Sequence, residues 1–153
     1  QRFIADCQIE TDLEILIPEQ YISNISERIR LYRELDNIDS EEKLIDFENQ
    51  LLDRFGKIPP ETKELINIVR LRREAIALGF EKIILRYSKL TLHFISDQES
   101  HYYKSAIFAK ILAYVQQNPK NIQLKEVKNK LTLSFENIQN IEKAIETLKR
   151  ISM

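Results

Sequence analysis

Between about residue 23 and Gly79 the apolar residues of this chain recur at the 3.6-residue spacing of amphipathic helices; beyond Gly79 they alternate with a period of 2. That single change limits the folds open to it. An opening stretch also alternates, with Cys7, Ile9, Thr11, Leu13, Ile15 and Ile17 on one side, and predicts a half-buried strand stopped by Pro18.

Three helices are expected next. After Ser23 as N-cap, Ile25, Ile29, Tyr32 and Leu35 form one stripe, with Arg28, Arg30 and Arg33 on the other faces. Asp39 or Ser40 caps a second helix that carries Leu44, Phe47, Leu51 and Phe55, with Gly56 at its C-terminal stop. Pro60 suits the first position of a third, whose stripe of Leu65, Ile68, Val69, Ala75 and Ile76 ends at Gly79.

In the second half, Ile83, Leu85 and Tyr87 answer Leu90, Leu92 and Phe94 across a two-residue turn at Ser88 and Lys89. A helix from about Asp97, with Tyr103, Ile107, Ile111, Leu112 and Val115 inward, closes at Asn118-Pro119. Ile122 and Leu124 then pair with Phe135 and Leu133 around a loop at 127–130. Asn137 caps a last helix with Ile138, Ile141, Ile145, Leu148 and Ile151 inward. The fold class is α+β: an N-terminal strand and three helices followed by two antiparallel hairpin-helix units, with no β-α-β crossover expected.

Composition excludes several kinds of chemistry. With glycine only at positions 56 and 79, neither the dinucleotide nor the triphosphate glycine loop can be written. Cys7 alone forms no intrachain disulfide, and with His93 and His101 it falls short of a structural zinc set, so no cofactor or metal is expected. No apolar run is long enough to span a membrane and no secretory leader opens the chain, which points to the cytoplasm. The first residue is Gln, not Met, so the chain is expected to be part of a longer protein.

The formal charge of −1 hides a division: residues 1–60 sum to −7 and residues 61–153 to +6. Arg70, Arg72 and Arg73, with Lys125, Lys128 and Lys130, offer an alternative reading as nucleic-acid contacts, although no aromatic residues interleave them. His93 is expected on the outward face of its strand. Ser96, Asp97 and His101 lie too close together in sequence for a nucleophilic triad and suit capping. No constellation for catalysis emerges.

The most informative run is Gln50-Leu51-Leu52-Asp53-Arg54-Phe55-Gly56. Leu51 and Phe55 fall on the buried stripe, while Gln50, Asp53 and Arg54 are helical neighbours that form a polar patch suited to recognising a protein surface. The runs L-Y-R-E-L at 31–35, L-L-D-R-F-G-K-I-P at 51–59, L-I-N-I-V-R-L-R at 65–72 and A-x-x-L-G-F-E-K-I at 75–83 together resemble the C-terminal domain of bacterial transcription-repair coupling factors (Mfd). The opening D-L-E-I-L-I-P-E-Q-Y-I at 12–22 is similar to the segment leading into that domain.

The resemblance implies a division into a lead-in, 1–22, and a single regulatory domain, 23–153, of a larger ATP-dependent DNA translocase. The domain itself is implied to be non-catalytic. It is implied to dock on a UvrB-like module of the same polypeptide and to mask the surface used by UvrA in nucleotide excision repair. RNA polymerase and DNA are engaged by other domains of such proteins. The implied docking pattern is Glu-x-x-Asp-Arg-Phe-Gly; Asp53 and Arg54 match it, and Gln50 stands at the Glu position.

Overall fold

The computed structural model describes residues 2–153. The chain forms two compact units, one from Glu14 to Arg70 and the other from residues up to Leu13 together with Leu71–Met153.

The helical unit contains α1 (Ile25–Asp36), α2 (Glu41–Phe55) and most of α3 (Pro60–Leu78). Its core joins Leu31 and Leu35 of α1, Leu44, Phe47 and Leu51 of α2, and Ile66 and Val69 of α3, with Ile17 and Ile22 from the lead-in. Ser40 caps α2 by accepting from the Lys43 amide, and Gly56 ends it at φ 86°, a left-handed value that disfavours side chains. The α1 stripe differs from the expected one. Asn24, not Ser23, is the N-cap, and the buried residues are Leu31 and Leu35. Leu35 of the expected stripe is in the core and Tyr32 packs against it, but Ile25 and Ile29 are 64% and 44% exposed, because the covered side is centred on Leu31 and Leu35, about a third of a turn away.

The second unit is a mixed five-stranded sheet in the order β1 (Gln8–Thr11), β2 (Lys82–Arg86), β3 (Lys89–His93), β5 (Lys130–Phe135), β4 (Ile122–Val127). The α+β class holds. One pairing was not foreseen: β1 runs parallel to β2, with Ile9 opposite Ile83, so a crossover does join two strands of the sheet. β1 is also only four residues long, and alternation beyond Thr11 feeds the helical core through Ile17 instead.

The first hairpin turns one residue earlier than expected, pairing Leu85 with Leu90 and Arg86 with Lys89. Tyr87 and Ser88 occupy the turn, both at positive φ as a type I′ turn requires, so Tyr87 leaves the apolar face and is 89% exposed. The second hairpin has the expected register, Ile122 opposite Phe135 and Leu124 opposite Leu133.

One face of the sheet is apolar and buried through Ile83, Leu85, Leu90, Leu92 and Leu133. In the same unit α5 (Ile141–Ser152) buries Ile141, Ile145, Leu148 and Ile151 as expected, capped by Asn140 where Asn137 was expected. The helix expected from Asp97 is a short 3-10 turn, His101–Lys104, followed by α4 (Ala106–Gln117) capped by Ser105. The break lets Tyr102 enter the core. Its hydroxyl donates to the Leu78 carbonyl at 2.7 Å, and its ring meets Phe3 and Tyr103 edge-on. Gly79, at φ 86°, lies against that ring, and a Cβ there would enter it.

Candidate functional site

The end of α2 is anchored from below and left open outside. The Tyr21 hydroxyl donates to the Gly56 carbonyl at 2.8 Å, and its ring packs edge-on against Phe55. Arg54 lies over the Phe55 ring, 4.7 Å from its centroid, and its Nη1 is 2.6 Å from Glu27 Oε1 on α1. Glu27 also accepts from Arg30 at 2.7 Å, and these hydrogen bonds, Arg30 first, hold its carboxyl below the usual range. Two cations sharing one carboxylate fix the Arg54 fork in place.

Asp53 is exposed and makes no ion pair among the described residues. It shares an outward strip of α2 with Ile45, Asn49 and Leu52, at helical positions one or two turns apart; Ile45 and Leu52 are each 48% exposed. Gln50 is half-buried and lines a concavity with Glu34, Ile38, Lys43, Asp46 and Phe47. The three expected patch residues thus share one helix end but not one bonded cluster. Glu27 and Tyr21 are the participants that the pattern of α2 alone could not reveal. An antiparallel α1–α2 pair brings the start of α1 to the end of α2, and that geometry is what selects Glu27.

The basic residues divide. Arg70 donates to both oxygens of Glu41, at 2.8–3.1 Å, to Glu48 at 2.6 Å and to Asn67 at 2.9 Å. The bond to Glu41 is the main cause of an upward shift in its pKa, against the opposing effect of partial burial. Its guanidinium is committed to the fold. Arg72 donates to the Cys7 carbonyl at 3.3 Å and lies 3.7 Å from Asp6. Arg73 is exposed. Lys125, Lys128 and Lys130 do come together on the uncovered sheet face, joined by Lys89 and His93.

Of the three polar residues singled out in that loop, Asp97 acts locally by accepting from the Glu99 amide, whereas the cap of the 3-10 turn is Ser100. His93 is half-buried on the open face of β3. Burial first, then Lys82 and Lys130, lower its pKa, with Glu81 and Glu10 opposing. No helix among the described residues is long and apolar enough to cross a membrane.

The fold is that of a known domain: the crystal structure of the C-terminal domain of a transcription-repair coupling factor matches with a TM-score of 0.73 at 20% identity, over 95% of this chain and 94% of that one. A model of the TRCF domain matches residues 11–105, so the chain belongs to the TRCF domain family of transcription-repair coupling factors. A stretch of 78 residues, 51% of this chain, is 33% identical to the transcription-repair-coupling factor of Staphylococcus epidermidis and covers 7% of it. A stretch of 118 residues, 76% of this chain, is 29% identical to that of Rickettsia bellii and covers 10% of it. The chain therefore spans a tenth or less of those relatives.

Proposed function

We propose that this chain is a non-catalytic regulatory module of a longer transcription-repair coupling factor. In this reading the end of α2 docks on a UvrB-like module of the same polypeptide and covers the surface that UvrA would use. ATP hydrolysis and the main grip on DNA belong to other parts of the full-length protein.

The observation that carries the reading is the outward strip of α2. Asp53 stands without an internal cation between exposed Leu52 and the fixed guanidinium of Arg54. An unpaired carboxylate, a preorganised donor and two uncovered aliphatic side chains on one helix are the ingredients of a small protein-recognition surface. Glu27 offsets part of the Arg54 charge while also pairing with Arg30, whereas Asp53 has no ion pair among the described residues and offers its full charge. Gln50 adds no charge, and its half-buried place puts it at the rim.

Calorimetric titration of the chain against the UvrB-like module tests this. Asp53→Ala is expected to weaken binding about 10- to 100-fold, the worth of one charge-assisted hydrogen bond, while Gln50→Ala costs less than about threefold. Equal affinities for the wild-type and Asp53→Ala chains would remove the docking surface from α2.

A further inference from the structure

The uncovered face of the sheet holds a second surface, of opposite sign to the first. Alternation puts Lys82 and Arg86 of β2, Lys89 of β3, Lys130 of β5 and Lys125 of β4 on this face, with Lys128 in the adjoining turn. Glu10 of β1 takes up two of them, Lys82 at 2.9 Å and Arg86 at 3.4 Å. Lys89, Lys125, Lys128 and Lys130 have no carboxylate partner among the described residues. All four line one open concavity of about 390 Å³, and Thr91, Thr132 and Gln123 add hydroxyl and amide groups to its lining. In the same place the Nε2 atom of His93 is closed off from solvent and makes no hydrogen bond. Four ammonium groups without carboxylate partners among the described residues, with hydroxyl donors between them, surround a space whose chemistry suits an anion.

The chemistry of the face narrows the anion. An acidic polypeptide segment gains its affinity from an apolar or aromatic anchor seated in a pocket. Here only Ile84 and Val127 interrupt the polar surface within the strands. Base stacking is equally unsupported, since no Phe, Tyr or Trp stands on the strands of this face and the His93 ring is half-buried there. What remains is contact with a regular row of phosphates, for which spaced lysines suffice as point charges.

We propose that the open sheet face, centred on Lys89, Lys125, Lys128 and Lys130, binds the phosphate backbone of nucleic acid without reading its sequence. It stands independently of the α2 docking surface, which lies in the other unit and offers a carboxylate. Of the arginines in the sequence-based alternative, Arg70 takes no part because its donors are spent on Glu41, Glu48 and Asn67, and Arg72 and Arg73 stand on α3 and not on the strands of this face.

Fluorescence anisotropy with a labelled 20-base-pair duplex, titrated with the chain at 50–200 mM KCl, provides the test. Four phosphate contacts predict a loss of about 100-fold in affinity across that range. Lys125→Glu with Lys130→Glu should weaken binding at 50 mM and flatten the salt slope by about two contacts. The same charge change at exposed Lys63 and Lys149 should leave binding within about twofold. Backbone amide shifts of the unaltered chain at Thr91, His93 and Thr132 on adding the duplex give a readout that needs no variant. A flat salt dependence, equal losses in the two double variants, or unmoved amides on the sheet would overturn the proposal. Tighter binding of a poly-glutamate peptide than of the duplex at equal salt would replace nucleic acid with an acidic protein partner.

Discussion

The helical unit and the sheet unit handle charge in opposite ways. In the first, eight basic residues meet 13 acidic ones, a net of −5, and the arginines that matter are consumed inside it: Arg70 by Glu41 and Glu48, Arg54 and Arg30 by Glu27. In the second, 15 basic residues meet 11 acidic ones, a net of +4, and one sheet face keeps four lysines without carboxylate partners among the described residues. Where acid is in excess, cations become structural and the surplus carboxylates, Asp53 among them, face outward. Where base is in excess, the reverse holds. Net charge counted along the sequence gives the sign of the surplus, but only the fold shows which side chains are left to carry it.

The comparison can be broken first through packing. Gly79→Ala should cost about 3 kcal/mol or more, since it combines strain at positive φ with a collision against the buried Tyr102 ring. Urea unfolding measures this. Gly56→Ala shares the strain but meets no neighbour, so it should cost about 1 kcal/mol.

Next comes the charge asymmetry itself. Arg70→Ala should destabilise by about 1–2 kcal/mol, because it leaves Glu41 and Glu48 facing each other without their shared cation. Lys125→Gln with Lys130→Gln should stay within about 0.5 kcal/mol of wild type, and low salt should favour the variant by relieving repulsion. Equal costs for the two changes would erase the distinction between structural and free cations.

The smallest effect is a pH dependence. His93 has a lower pKa in the folded chain than its unfolded value near 6.5, so the unfolded state binds more protons as pH falls through about 6.5. Stability should therefore decline on acidification through that window. His93→Gln should flatten that part of the profile in thermal melts, since the shift comes first from burial and then from Lys82 and Lys130, with Glu81 and Glu10 opposing.

Much of this was legible in the sequence wherever a local rule decided the outcome. Ser40, Gly56 and Pro60 bound their helices as expected, and the second hairpin keeps its register because alternation sets the buried face and the two-residue turn at Lys128 and Asn129, both at positive φ, sets the pairing. The misreadings arose where tertiary context chose between local options. Leu35 is buried as expected, but Ile25 and Ile29 at the same spacing are exposed while Leu31 is buried, and spacing alone cannot centre the covered stripe. The parallel β1–β2 pair depends on residues more than 70 positions apart, and no local signal reports it. Asp53 and Arg54 were visible as candidates because they follow a buried stripe. Glu27, which decides how much charge Arg54 has to offer, became visible only once α1 lay beside α2.

The most direct test of the docking account uses the full-length protein. Asp53→Ala with Arg54→Ala, measured for UvrA binding without DNA or RNA polymerase, should raise UvrA affinity about tenfold or more as the covering surface is released. Unchanged UvrA affinity in that double variant would contradict it.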